Sequence, residues 1–352
     1  MRSRYYLAIA LSCALACDDD EQSVPLTDAA MDPVKAGDDA SARDAGADAE
    51  APIDSGPAAP IDAAIDLAPR IARGKYLTTV IYPCGSCHTP RNDAGAPRLD
   101  AIFGGVDCWS DSLPQDSDAG CLSSKNLTED PTGIKNLTNT EVKNALLRGV
   151  RSDGKALHPQ MPYALLGNMN EDDADAIVSY LRSLPPVEHR VRANQPPFDV
   201  QPETPAPIWP EALIPRPRAD YAEQAAALRG RYLAGNFGQC MDCHTPRDAK
   251  GAPLRDKAFS GGRKFGEAFA PNLTPDLTGI GGLTVEDIVR AIKRGEDPDQ
   301  SYSKFCGPMP SGPMGAYGGM SDEDARDIGH YLFSIAPVEN MIAGDCQPDA
   351  GI

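Results

Sequence analysis

The stretch Cys84-Gly85-Ser86-Cys87-His88-Thr89-Pro90-Arg91 is the part of the sequence that decides the fold. Its C-x-x-C-H form attaches a c-type haem, because two thiols at this spacing bond the two vinyl groups and the adjacent imidazole binds the iron. A second copy, Cys240-Met241-Asp242-Cys243-His244-Thr245-Pro246-Arg247, follows 156 positions later. One copy arises by chance in a long chain, but two copies continued by the same three residues predict two covalently attached haems.

The sequence around these motifs is an internal duplication. Residues 73–77 match residues 229–233 at an offset of 156, whereas residues 126–128 match residues 272–274 at an offset of 146. The first half therefore carries a net insertion of ten residues, which we place between Cys108 and Cys121.

Each half predicts the same series of helices. Apolar residues at helical spacing and cap residues indicate helices over 67–80, 139–149 and 171–184 in the first half, and over 219–235, 285–295 and 322–335 in the second. Thr284 with Asp287 has the form of a capping box, and Asn170 and Ser321 stand where the last helices begin. Strand signals are sparse, so we predict an all-α protein.

The N-terminus has the layout of an export signal. Two arginines precede a short apolar run, and Cys17 ends that run just before an acidic segment, as in a bacterial lipoprotein signal. We therefore predict a signal over residues 1–17 with lipid attachment at Cys17, or cleavage without lipidation, and a periplasmic or cell-envelope location. Residues 18–66, rich in Asp, Ala, Pro and Gly, predict a disordered acidic tether.

The net charge of −18 is unevenly placed. Residues 18–68 hold 14 acidic and two basic side chains, and residues 69–352 carry a net charge of only −8. This mildly acidic body lacks the basic surface of a nucleic-acid binder. We also find no phosphate-binding glycine loop, nucleophile elbow or H-E-x-x-H motif.

Four cysteines remain besides the attachment motifs and the N-terminal pair. In an oxidising compartment Cys108 with Cys121, and Cys306 with Cys346, would each form a disulfide within one half, but connectivity cannot be read from sequence and loose thiols are the alternative.

A methionine is the commoner sixth ligand of an electron-transfer haem. In the first half Met161, in a proline-flanked loop before the last helix, is the predicted ligand; Met169 fits a packing role, and His158 is a rival. In the second half Met309 repeats the Met-Pro pair and is preferred over Met314, although counting back from the last helix does not decide between them.

These motifs resemble those of the multihaem cytochrome c subunits that accompany membrane-associated bacterial dehydrogenases. The resemblance rests on Cys-x-x-Cys-His-Thr-Pro, Asn-Leu-Thr-x-Asp-x-Thr-Gly-Ile, Met-Pro-Tyr and the acidic start of the last helix, over residues 69–338. It implies two tandem class I cytochrome c domains, residues 67–190 and 219–346, joined by a Pro-rich linker over 191–218. Such subunits often carry three haems, whereas this chain has two motifs.

The function expected from the resemblance is single-electron transfer between a dehydrogenase-type donor and a respiratory acceptor, as an electron-transfer protein or the electron-transfer subunit of an oxidoreductase. Two alternatives need one iron with an open site: a haem enzyme of the di-haem peroxidase or thiosulfate-oxidising type, and a haem-based sensor.

Overall fold

A computed structural model describes residues 67–93, 95–108, 120–200, 202–238, 240–249, 251–265, 268–298, 303–304, 309 and 316–342. The predicted signal and tether, the lipid-attachment candidate Cys17, the pair Cys306 and Cys346, and Met314 all lie outside these residues.

The described residues are mainly helical, and their helices form two series of the same order. The first half contains α1 (Leu67–Tyr76), α2 (Gly85–His88), α3 (Asn139–Arg148), α4 (Tyr163–Leu166) and α5 (Glu171–Ser183). The second half contains α6 (Gln224–Arg231), α7 (Cys240–His244), β1 (Lys264–Phe265), β2 (Ala268–Phe269), α8 (Val285–Arg294), β3 (Glu296–Asp297), β4 (Ser303–Lys304) and α9 (Asp322–Ser334). Among the described helices, none combines the length and apolarity needed to span a bilayer.

The helix starts follow the predicted cap chemistry. The side chains of Asn170 and Ser321 accept the N–H groups of Asp173 and Asp324, and Thr284 with Asp287 forms the predicted capping box. A second capping box, Thr138 with Glu141, begins α3. The predicted helix over 219–235 starts late, because a turn in which Tyr221 N–H bonds the Arg218 carbonyl precedes α6.

The first helices α1 and α6 both end in a π-helical turn, over Leu77–Ile81 and Tyr232–Phe237. In the first half Cys84 N–H then bonds the Thr78 carbonyl at 2.9 Å, so the wider turn leads the chain directly into the attachment motif.

The core of each half is the crossing of its first and last helices. A Cβ atom on Gly74 would lie 1.9 Å from the Ala176 carbonyl oxygen, and one on Gly230 would lie 1.9 Å from the Asp327 carbonyl oxygen. Only glycine permits backbones to approach this closely. Beside the crossings, Phe103 packs edge-on against Tyr180, and Phe259 packs in the same way against Tyr331.

The described residues on either side of the predicted ten-residue insertion are joined to each other. In the first half, Val106 pairs with Ser124, and a disulfide joins Cys108 to Cys121; this pairing confirms one of the two predicted disulfides. In the second half, the β1–β2 hairpin takes the same place, with Lys264 opposite Phe269.

The segment between the halves contacts both of them. Gln195 N–H bonds the Cys121 carbonyl, and Trp209 N–H bonds the Ala164 carbonyl in the first half. Further on, Ile214 is buried in the core, and Arg218 N–H bonds the Ser334 carbonyl in the second half.

The two halves also meet through a reciprocal pair of tyrosines. The hydroxyl of Tyr76 donates to Asp324 at 2.5 Å, and the hydroxyl of Tyr232 donates to Asp173 at 2.7 Å. Both tyrosines pack against the core, and their hydroxyls reach the start of the last helix of the opposite half, which the sequence did not indicate. Tyr82 and Phe237 add a ring contact across the same join at 6.1 Å.

Candidate haem-binding sites

Each attachment motif forms one short helical turn. In the first half His88 N–H bonds the Cys84 carbonyl at 3.0 Å, so the turn of α2 holds Cys84, Cys87 and His88 together. The helix α7 does the same for Cys240, Cys243 and His244. All four thiols are free rather than paired as disulfides, which leaves them available for thioether bonds.

The attachment cysteines border an apolar interior. Cys84 and Cys240 pack against the buried core, and burial raises the pKa of each thiol to about 12. Burial likewise raises the pKa of the Cys243 thiol to about 11. Each first cysteine is therefore a neutral thiol in apolar surroundings, which suit the edge of a porphyrin.

The two motif histidines are oriented by the same bond. His88 Nδ1 lies 2.8 Å from the Lys125 carbonyl oxygen, and His244 Nδ1 lies 2.9 Å from the Pro271 carbonyl oxygen. A carbonyl only accepts, so Nδ1 carries the proton and Nε2 keeps its lone pair for a metal. Burial lowers the pKa of both histidines, which favours this neutral, ligating form.

The backbone carbonyl of each motif histidine accepts a second hydrogen bond. Gly105 N–H donates to the His88 carbonyl at 2.9 Å, and Gly261 N–H donates to the His244 carbonyl at 2.7 Å. Both glycines have positive φ, 84° and 77°, which other residues rarely adopt. The motif turn, the glycine turn and the segment whose carbonyl accepts the Nδ1–H group thus form one unit that recurs in both halves.

Met161 and Met309 both lie, half-buried, against the apolar core. Val150 pairs with Ala156 in the first half, and Glu296 pairs with Lys304 in the second. Each methionine follows the second residue of its pair by five positions. The second hairpin is two residues longer, and that difference accounts for the unequal distances of the two methionines from their preceding helices.

The rivals for the first-half ligand have other contacts. Met169 is buried in the core just before α5, as expected of a packing residue. The ring of His158 packs edge-on against Phe198, and its Nδ1 accepts the Gln160 N–H at 3.2 Å.

The arginines that end the motifs close the following turn. Arg91 donates to the Gly95 carbonyl and Arg247 to the Gly251 carbonyl, each at 2.7 Å. Arg247 also pairs with Asp242, stacks over the Trp209 ring, and keeps a buried Nε without a hydrogen-bond partner among the described residues.

These donors fit a covalently attached haem. Each half offers two free thiols and an imidazole with a free Nε2, and a methionine thioether borders the same core. The sequence predicted these side chains, but it missed the carbonyls of Lys125 and Pro271, because a backbone acceptor carries no residue signature.

Comparison with known proteins agrees with this geometry. Residues 227–336 match the cytochrome c family. The match indicates a cytochrome c domain in this part of the chain, and domains of this family hold haem c covalently.

The chain is also similar to named cytochromes over most of its length. A fructose dehydrogenase cytochrome subunit from Gluconobacter japonicus is 30% identical over 273 residues, 76% of this chain and 53% of the relative. The cytochrome c subunit of a quinone alcohol dehydrogenase from Gluconobacter oxydans is 29% identical over 295 residues, 80% and 58% of the two chains. A diheme c-type cytochrome from Cereibacter sphaeroides is 28% identical over 266 residues, 73% and 83% of the two chains. The chain spans about half the length of the first two relatives.

Proposed function

We propose that the protein is a di-haem c-type cytochrome that passes single electrons from a dehydrogenase-type donor to a respiratory acceptor. The haem domains would be residues 67–190 and 219–346, in tandem, with residues 191–218 as the linker. The observation that carries this proposal is the repeated unit in which a motif histidine donates Nδ1–H to a carbonyl at 2.8 and 2.9 Å.

The ligands we propose are His88 with Met161 and His244 with Met309. The hairpin register favours Met309 over Met314, because it gives Met309 the same place after β4 that Met161 has after Ala156. When bound, the haem iron supplies the one-electron redox chemistry.

The chain's own residues hold and tune that group. The carbonyls of Lys125 and Pro271 fix the tautomer and orientation of the imidazoles, and a hydrogen-bonded imidazole is the more basic ligand. The buried core around Leu77, Phe103 and Phe259 excludes water. A dry surrounding disfavours the more positively charged ferric state of a haem and so raises its reduction potential.

The proposed location is the periplasm or cell envelope, with lipid attachment at Cys17. The Cys108–Cys121 disulfide supports an oxidising compartment. The similarity to dehydrogenase cytochrome subunits supports a redox-protein donor.

The test is the haem content and the absorption spectrum of the full chain matured with haem. We expect two haems per chain, and two equivalents of the long-wavelength band that a methionine thioether gives to ferric haem. One haem per chain, or a high-spin signal from one iron, would contradict the proposal and favour an enzyme or a sensor.

The methionine assignment needs matched variants. We expect Met161→Ala and Met309→Ala each to abolish half of the methionine band and to lower the reduction potential of one haem. Met169→Ala and Met314→Ala are the controls and should leave the band intact. Loss of the band in Met314→Ala with retention in Met309→Ala would reverse the assignment in the second half.

A further inference from the structure

The two attachment loops carry opposite charge. Residues 84–124 contain two basic and six acidic side chains, whereas the matching residues 240–270 contain six basic and four acidic ones. The first loop therefore has a net charge of −4 and the second of +2, in a chain whose total is −18. The difference arises at equivalent positions: Asp107 corresponds to Arg263, and Cys108 corresponds to Lys264.

Three basic side chains of the second loop lie at the surface. Arg255, Lys257 and Lys264 are exposed. Lys257 and Lys264 stand on either side of the turn whose Gly261 N–H bonds the His244 carbonyl. The positive charge is thus placed on the chain segment that holds the motif histidine.

The hairpin is fixed against the attachment motif by Arg263. Its guanidinium donates to the Asp242 carbonyl and lies 3.5 Å from the Asp242 carboxylate, between the two motif cysteines. Phe269 is 37% exposed, and the Lys264 ammonium lies 5.7 Å from the centre of its ring. Aromatic rings and arginines are enriched at protein interfaces, and this hairpin presents an exposed Phe269 together with Arg263.

We propose that Arg255, Lys257, Arg263, Lys264 and Phe269 form a basic face on which a redox protein with an acidic surface docks to exchange electrons with the second haem. This inference rests on the proposed function, since it needs a haem at Cys240, Cys243 and His244. The first loop, which is acidic, would not serve this partner.

Local charge and total charge predict opposite salt effects. The negative body repels an anionic partner, so a rate governed by total charge rises with salt. The basic face attracts it over about 10 Å, the screening length at 0.1 M salt, so a rate governed by the face falls with salt.

The experiment uses the reduced holo-protein and hexacyanoferrate(III) in stopped flow at several salt concentrations. Each ferrous haem loses one electron and each hexacyanoferrate(III) gains one, and no bond or proton changes hands. An acidic blue-copper protein in its Cu(II) form, which also takes one electron, is the protein probe. The test variant is Lys257→Glu/Lys264→Glu, and the control is Lys135→Glu/Lys155→Glu, which makes the same charge change at exposed lysines of the first half.

We expect wild-type rates with both probes to fall as salt rises. The test variant should be slower by about tenfold at low salt and should reverse the salt dependence, whereas the control should change the rate less than about twofold. The proposed face would be overturned by a wild-type rate that rises with salt or by equal slowing in both variants. It would also be overturned if the test variant transferred electrons to the blue-copper protein as fast as the wild type does. The haem content of the same samples shows separately whether the proposed function itself has failed.

Discussion

The first and second halves orient their motif histidines with the same bond but build the supporting loop differently. In the first half the Lys125 carbonyl follows a long excursion closed by the Cys108–Cys121 disulfide. In the second half the Pro271 carbonyl follows the compact β1–β2 hairpin. The comparison teaches that the carbonyl position is the common requirement, and that a covalent bond or a pair of short strands can meet it.

A second difference concerns how the last helix is held. In the first half Asp173 accepts both the guanidinium of Arg73, at 2.8 and 3.0 Å, and the hydroxyl of Tyr232. In the second half these roles are divided: Asp327 accepts Arg229, and Asp324 accepts Tyr76. One carboxylate thus joins helix packing to the contact between halves in the first half only.

The largest effect is expected at the helix crossings, where the halves are most alike. Gly74→Ala and Gly230→Ala each place a methyl group 1.9 Å from a carbonyl oxygen. Each should lower the free energy of unfolding by about 3 kcal/mol or more, measured by denaturant unfolding of the holo-protein. The control is Gly282→Ala, where the added carbon meets nothing within 4 Å. A cost in one half only would show that the two crossings are not equivalent.

The next effect should separate the two loops. Cys108→Ser/Cys121→Ser removes a disulfide that spans 13 positions. Closing a loop of this length stabilises the folded state by about 3 kcal/mol through the reduced entropy of the unfolded chain. We expect the first half to unfold at lower denaturant concentration than the second, so that haem absorbance follows two steps. A single, unshifted transition would mean that the Val106–Ser124 pairing holds the loop without the disulfide.

The smallest effect should show that the Asp173 carboxylate is shared by Arg73 and Tyr232. Asp173→Asn disturbs two partners, whereas Asp324→Asn and Asp327→Asn each disturb one. Charge-assisted bonds of this kind are worth about 1.5 kcal/mol or more, so the unfolding cost of Asp173→Asn should approach the sum of the other two. Combination with Tyr232→Phe tests the point: the tyrosine change should cost less in the Asp173→Asn background than in the wild type. Full additivity would contradict a shared role.

The sequence predicted the parts of this fold that depend on local pattern. Helical periodicity placed α3, α5, α8 and α9 to within a residue or two, and cap residues located their starts. The duplication placed the insertion, because two offsets can differ only where residues are gained. The haem motifs predict the donor side chains by residue type and spacing, and the role of these side chains as haem ligands stays a prediction.

The rest depends on contacts that no local pattern encodes. Tyr76 and Asp324 are 248 positions apart, and an aromatic residue at a helix end is equally compatible with packing inside its own half. The hairpin pairing that relates Met309 to Met161 is a match of backbone positions between residues of different type, Ala156 and Lys304. Counting along the sequence could not show that the second half has two more residues between its paired positions, Glu296 and Lys304, than the first half has between Val150 and Ala156.

The reciprocal tyrosine contacts make the join between the halves isologous, the arrangement of a two-fold symmetric homodimer. Each half supplies both the hydroxyl and the carboxylate, so its surface is complementary to its own copy. The segment joining the halves then raises the effective concentration of each for the other rather than creating the contact. In these terms the chain is a dimer whose two subunits are joined covalently. The two halves can differ, as they do in the charges of their attachment loops, because each half contacts the other half and not an identical copy of itself.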